Sequence, residues 1–134
     1  MEIWVCRERL FRQCWHGRLS IDGERSCDTL ENVEGCLPPG KYYVRMESEK
    51  KEDGVMDYTI LRILSADAPL AKFSTVNGIY GLERGSIAVG EWVYLGFILH
   101  TQPAWTLLVD RVRHAVKRGQ GVTLVIEEAH RTEE

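Results

Sequence analysis

The sequence predicts an α+β domain built mainly of antiparallel strands. It reads as a small barrel or two-layer sandwich with one C-terminal amphipathic helix and a final strand after it. Three observations predict this. Short segments rich in β-formers recur between turn signals, and Asp22-Gly23 is a hairpin signal because both residues tolerate positive φ. Only one segment has a helical period. No strand–helix alternation of the parallel kind runs through the chain.

Taken in order, Ile3 to Arg9 is a short β-rich segment. His16 to Ile21 places Leu19 and Ile21 on one face, and Glu24 to Leu30 returns from the Asp22-Gly23 turn. Leu37-Pro38-Pro39-Gly40 is a turn, with φ set by proline and released by glycine. Lys41 to Ser48 alternates Tyr42, Val44 and Met46 against Tyr43, Arg45 and Glu47. The charged run Glu47 to Gly54 reads as a solvated hairpin loop. Asp57 to Leu64 carries apolar groups on both faces and is expected to be a central strand. Ser65 to Lys72 reads as a loop around Pro69. Phe73 to Tyr80 and Ser86 to Val89 are short strands among glycines, and Glu91 to Leu99 is a strongly apolar run.

The helix is expected from Thr101 or Gln102 to about Arg118. Thr101 is a candidate cap, and Pro103 is tolerated in the first turn, where its missing N–H costs nothing. Trp105, Leu108, Val109, Val112 and Val116 form one apolar stripe, so Trp105, Leu108, Val112 and Val116 are expected to face the sheet. Gly119 ends the helix, and Gly121 to Glu127 is the final strand. The whole makes one domain over residues 1–134, with a core over about 2–127 and a polar tail over 128–134.

Composition narrows the function. A chain of 134 residues buries roughly two-thirds of its unfolded surface and needs no metal or disulfide staple. A net charge of -3 argues against a nucleic-acid binder. No apolar run approaches the roughly 20 residues of a membrane helix. Glu2, Arg7, Glu8 and Arg9 interrupt the stretch an export signal would need, so a cytoplasmic setting is expected. Cys6, Cys14, Cys27 and Cys36 form no CxxC pair and no histidines have finger spacing, so they read as reduced thiols buried mostly in strands. Neither a metal nor a cofactor is expected.

Three segments together resemble a known family. They are HGRLSIDGERSCDTLE (His16 to Glu31), CLPPGKYYV (Cys36 to Val44) and GSIAVG (Gly85 to Gly90), set in a match running from about residue 2 to residue 127. The pattern G-x-L-x-[IV]-[DN]-G, C-x-T-L-E, C-[IL]-P-x-G-x-Y, H-x-G-N and G-C-[IL]-x-[VL]-G is that of a bacterial and phage-associated family catalogued as a domain of unknown function. Its histidine and Gly-Cys are similar to the arrangement in L,D-transpeptidases, where a cysteine thiolate attacks an amide of peptidoglycan. That similarity implies an acyl transferase or peptidase as one alternative. Here the chain departs from the pattern: Gly85-Ser86 stands where Gly-Cys is expected, and no histidine lies between His16 and His100.

Other constellations are weaker. Ser86, His100 and Asp110 would compose a hydrolase triad, but no nucleophile elbow surrounds Ser86. Ser86 and His100 are the weak catalytic candidates, and Ser86 is expected to bond backbone. Asp22 is expected to make its turn, with Asp28 and Glu31 accepting backbone N–H groups in a buried corner. Gly78 to Gly90 has no Lys-Ser/Thr and is not a phosphate loop. Trp4, Trp15, Trp92 and Trp105 are assigned to the core rather than to stacking on sugars or bases. Arg111 to Arg118 reads as solvated surface.

The resulting expectation is a non-catalytic accessory or binding module, with a protein or peptidoglycan as its partner. The alternatives are a degenerate L,D-transpeptidase-like enzyme and a structural subunit of a larger assembly. An enzyme requires a cleft at Ser86 with a base in reach. A binding module requires an exposed apolar patch or an open sheet edge.

Overall fold

The alternation read along the strands closes on itself as a barrel. The computed structural model describes residues 1–50 and 57–129. Its elements are β1 (Glu2–Phe11), β2 (Cys14–Ile21), β3 (Glu24–Asn32), β4 (Gly40–Lys50), β5 (Asp57–Ser65), β6 (Ala68–Ser74), β7 (Ile87–Gly90), β8 (Trp92–Tyr94), β9 (Phe97–Leu99), α1 (Thr101–Lys117) and β10 (Thr123–Glu128). The closed order is β1-β10-β4-β5-β6-β7-β3-β2, with β8 and β9 forming a separate two-stranded sheet. β1–β10 and β6–β7 are parallel, and the other barrel neighbours are antiparallel. Closure pairs most of the strand edges that an open sheet would leave exposed.

Two apolar cores follow from two-residue periodicity. Ile3, Val5, Leu19, Ile21, Val44, Leu61, Ile63, Phe73, Ile87, Val89, Leu124 and Ile126 share the main core with Ala104, Leu108, Val109, Val112 and Ala115 of α1. A smaller cluster joins Cys14, Leu30, Leu82, Ala88 and Ile98, with Val76, Ile79 and Val93 packed on it. The strands between them therefore bury both faces: all four residues of β7 are buried. β5 does the same, with Ile60, Leu61, Ile63 and Leu64 all buried, as its two apolar faces predict.

Several expectations need correction. Ser65 to Lys72 is not a loop: Ala66-Asp67 turns, Ala66 adopts φ 52, and Ala68–Ser74 pairs with β5. Pro69 fits because a register shift next to Leu64 relieves the missing N–H. The charged segment is strand as far as Lys50, and the rest of that expected loop, like residues 130–134 of the tail, lies outside the described residues. Phe73 to Tyr80 leaves the barrel after Ser74 and makes a 3₁₀ turn over Ile79–Gly81. The apolar run from Glu91 folds as the β8–β9 hairpin.

The helix spans the expected residues, but its packing differs. His100, not Thr101, holds the N-cap position, at φ 53 and without a side-chain cap bond. The buried stripe is Ala104, Leu108, Val109, Val112 and Ala115, whereas Val116 is 48% exposed and Trp105 only half-buried. Small alanines let α1 approach the barrel closely, which turns the neighbouring large residues toward its flanks. The helix closes with Gly119 N–H bonded to Val116 O and Gln120 N–H to Ala115 O.

Candidate functional site

Ser86 lies just before β7 and is 2% exposed. Its backbone N–H bonds Glu83 O, and its hydroxyl accepts the backbone N–H of Lys72 at 3.2 Å. His100 is exposed at the start of α1, and its side chain makes no cap hydrogen bond there. Asp110 is exposed and faces Arg113 at 3.4 Å. The fold thus uses the Ser86 hydroxyl to tie β6 to the segment leading into β7.

The acidic residues of the N-terminal segment also take other roles. Asp22 makes the turn (φ 49) and accepts the N–H of Glu2 at 2.8 Å. Asp28 and Glu31 do not accept backbone N–H groups as expected: both meet arginines. Asp28 pairs with Arg25 at 2.7 Å, and Glu31 takes two bonds from Arg7 at 2.9 and 2.7 Å. Guanidinium geometry explains the second preference, because a planar fork matches both carboxylate oxygens. The described residues hold no group of three His, Cys, Asp or Glu side chains placed for a metal ion.

All four cysteines are free. Cys36 sits in the loop before Leu37 rather than in a strand. Burial pushes the Cys27 thiol up to about 12, against a partly opposing bond from Gly90. Burial also raises Cys6, Cys14 and Cys36, so none of them is an activated thiolate.

The exposed large side chains concentrate elsewhere. Tyr80 is 97% exposed, and Trp92, Tyr94 and Phe97 are each about 60% exposed. Trp92 therefore departs from the core assignment made for the tryptophans. The cause is the hairpin period. Val93 and Ile98 point at the smaller core, so Trp92, Tyr94, Phe97 and Leu99 must point outward.

Tight contacts hold this hairpin on the barrel. Glu91 N–H bonds Leu99 O at 2.9 Å, and Ile98 N–H bonds Asn77 O at 2.8 Å. The Asn77 amide returns a bond to Ile98 O at 2.9 Å. A Cβ on Gly90 would lie 2.5 Å from Ile98 and from Leu99 O, so only glycine allows β7 and β9 to pass this closely. The turn has Leu95 at φ 48 and Gly96 at φ 84, the paired left-handed residues of a two-residue hairpin. Gly96 N–H then bonds His16 Nε2 at 3.1 Å. That bond requires the neutral ring. Burial and Arg9 both lower the His16 pKa, while Asp28 opposes them.

Between the β1–β2 turn, the 3₁₀ turn and the β8–β9 turn lies a cleft of about 340 Å³. Phe11, Arg12, Tyr80, Leu95 and Phe97 are among its walls. The Arg12 guanidinium stands 5.5 Å over the Phe11 ring, and Phe11 in turn leans on His16 with ring centroids 5.9 Å apart. No sequence motif marks this cleft. The only signal was the alternating aromatic run from Trp92 to Phe97, which looks the same whether it is buried or exposed.

Among the described residues, no helix is long and apolar enough to cross a membrane. Compared with known proteins, the chain matches no protein-family model, no curated protein and no solved structure.

Proposed function

We propose that this protein is a non-catalytic binding module whose partner is another protein, held at the aromatic cleft beside the β8–β9 hairpin. The observation that carries the reading is the convergence of exposed Tyr80, Leu95 and Phe97 with Phe11 and Arg12 around one concave space. Tyrosine, tryptophan, phenylalanine and arginine are the residues that dominate protein interface energetics. A sugar chain would need several polar groups for its hydroxyls. Among the described residues, the charged and amide side chains lining the cleft are only Arg12 and Gln13. The net charge of -3 disfavours a nucleic acid.

A bacterial or phage-associated setting is what the family resemblance implies, and four free thiols suit a reducing, cytoplasmic compartment. The transferase alternative lacks support at Ser86, whose hydroxyl is buried and already committed to Lys72.

The test is a binding screen of the full chain against displayed random peptides and against purified peptidoglycan fragments. Peptides are expected to bind, and Phe97→Ala to weaken them about tenfold, with Ser86→Ala leaving them unchanged. Binding and cleavage of peptidoglycan fragments, lost in Ser86→Ala, would overturn the reading.

A further inference from the structure

The parallel ladder between β1 and β10 stops at Arg7 and Glu128, where Ala129 N–H makes a last bond to Arg7 O at 2.7 Å. β1 itself continues to Phe11. Over that extension it pairs only with β2, through Arg9–His16, Leu10–Trp15 and Phe11–Cys14. Among the described residues, the outer edge of Glu8–Phe11 has no strand beside it. Such an edge presents backbone donors and acceptors to any extended chain. It also runs directly into the cleft, because Phe11 and Arg12 form one of its walls.

Charge says what kind of chain fits. Arg7 is neutralised by Glu31 and Glu128, Arg18 by Glu8 at 2.8 Å, and Arg25 by Asp28. Arg9 and Arg12 are exposed, and neither has a carboxylate partner among the described residues. Among the described residues, no carboxylate lines the cleft. Glu127 lies back along the ladder opposite Cys6, so an acidic guest is repelled there and drawn to the Arg9–Arg12 end. A second copy of this chain would bring the same two cations to the edge, which disfavours self-pairing.

We propose that an extended, acidic segment of a partner protein adds as a strand to the outer edge of β1 at Glu8–Phe11 and seats an apolar side chain in the cleft. This rests on the reading of the cleft as a protein-docking surface. Main-chain bonds along Glu8–Phe11 supply affinity, while the cleft and the two arginines supply selectivity.

The experiment selects displayed random peptides on the full chain, then follows amide hydrogen exchange with the bound peptides. Selected sequences should be enriched in Asp and Glu beside a large apolar residue. Arg9→Ser with Arg12→Ser should weaken them about tenfold, and binding should fall as salt rises. Outer-edge amides between Glu8 and Phe11 should gain protection. Peptides that depend on Phe97 yet show no acidic bias or no edge protection would overturn the strand-addition proposal and leave the binding-module reading standing. Failure to select any peptide dependent on Phe97 would overturn both. Edge protection that rises with protein concentration alone would assign the edge to a second copy. Faster exchange at Arg9–Phe11 in a chain ending at Ala129 would assign it to the chain's own last residues. Either result would overturn the proposal.

Discussion

Arg7 and Glu31 meet inside the barrel as a two-bond ion pair, at 0% and 1% exposure. Arg7 also donates to Leu37 O at 2.6 Å and to Glu128 at 3.1 Å, so one guanidinium joins β1, β3, β10 and the proline loop. Burial opposes its charge, but the bonds to Glu31 outweigh this and raise its pKa further. Removing one partner should strand the other. Arg7→Met should cost about 3–5 kcal/mol in urea unfolding, because a buried carboxylate is left without its cation. Glu31→Leu should cost less, since Glu128 still faces Arg7. The double variant should recover much of the loss, as well-packed apolar groups often replace a buried pair. A double variant less stable than Arg7→Met would contradict this account.

His16 ties the hairpin to β2 only while its Nε2 is unprotonated. Its native pKa lies below the ordinary value of 6.5, mainly because of burial and then Arg9. An unfolded chain therefore takes up the proton first as pH falls, and the native state loses stability below about pH 6.5. The charged groups acting on the ring are Arg9 from β1 and Asp28 from β3; the hairpin turn brings Leu95 and Gly96, which do not titrate. The protection factor of the Gly96 amide, taken relative to intrinsic exchange at each pH, should fall between about pH 7.5 and 5.5. His16→Gln, which keeps an acceptor but no titration, should flatten that dependence. Equal pH dependence in the two proteins would remove the role assigned to His16.

Leu95 occupies a left-handed conformation that costs a residue with a β-carbon about 1–2 kcal/mol. Asparagine tolerates that conformation better. Leu95→Asn should raise the melting temperature while weakening any ligand of the cleft, since Leu95 also lines it. A variant that is both less stable and undiminished in binding would show that the leucine serves packing alone.

Leu108 and Val116 belong to the same stripe in the sequence but not in the fold. Leu108 is fully buried and Val116 is 48% exposed. Leu108→Ala should cost about 2–5 kcal/mol, whereas Val116→Ala should stay within about 0.5 kcal/mol of wild type. Chemical denaturation of the two variants separates them directly.

Local chemistry made much of the fold legible. Asp22-Gly23 announced its hairpin, Gly119 its helix end, and the alternation in Asp57 to Leu64 a strand buried on both sides, because each signal acts over a few residues. The β6 strand was hidden because Pro69 marks a loop unless a register shift elsewhere relieves it. Glu31 looks like a backbone acceptor in its own stretch of sequence because its partner, Arg7, stands 24 residues earlier.

By itself, the sequence determined that the chain would be strand-rich, with one helix ahead of a last strand, because propensity and period are properties of neighbouring residues. Only the tertiary structure decided that the sheet closes, with β10 beside β1 and β7 beside β6 in parallel. It also decided which face of each apolar run meets water. Trp92 and Phe97 carry the same local signal as Val93 and Ile98, and it is the barrel wall beneath the hairpin that buries one set and exposes the other. Ser86, the residue the motif singled out, became a tie to Lys72, while the cleft formed where the β1–β2 turn, the 3₁₀ turn and the β8–β9 turn come together across the closed sheet. Such a meeting is set by long-range register, which no window of neighbouring residues contains.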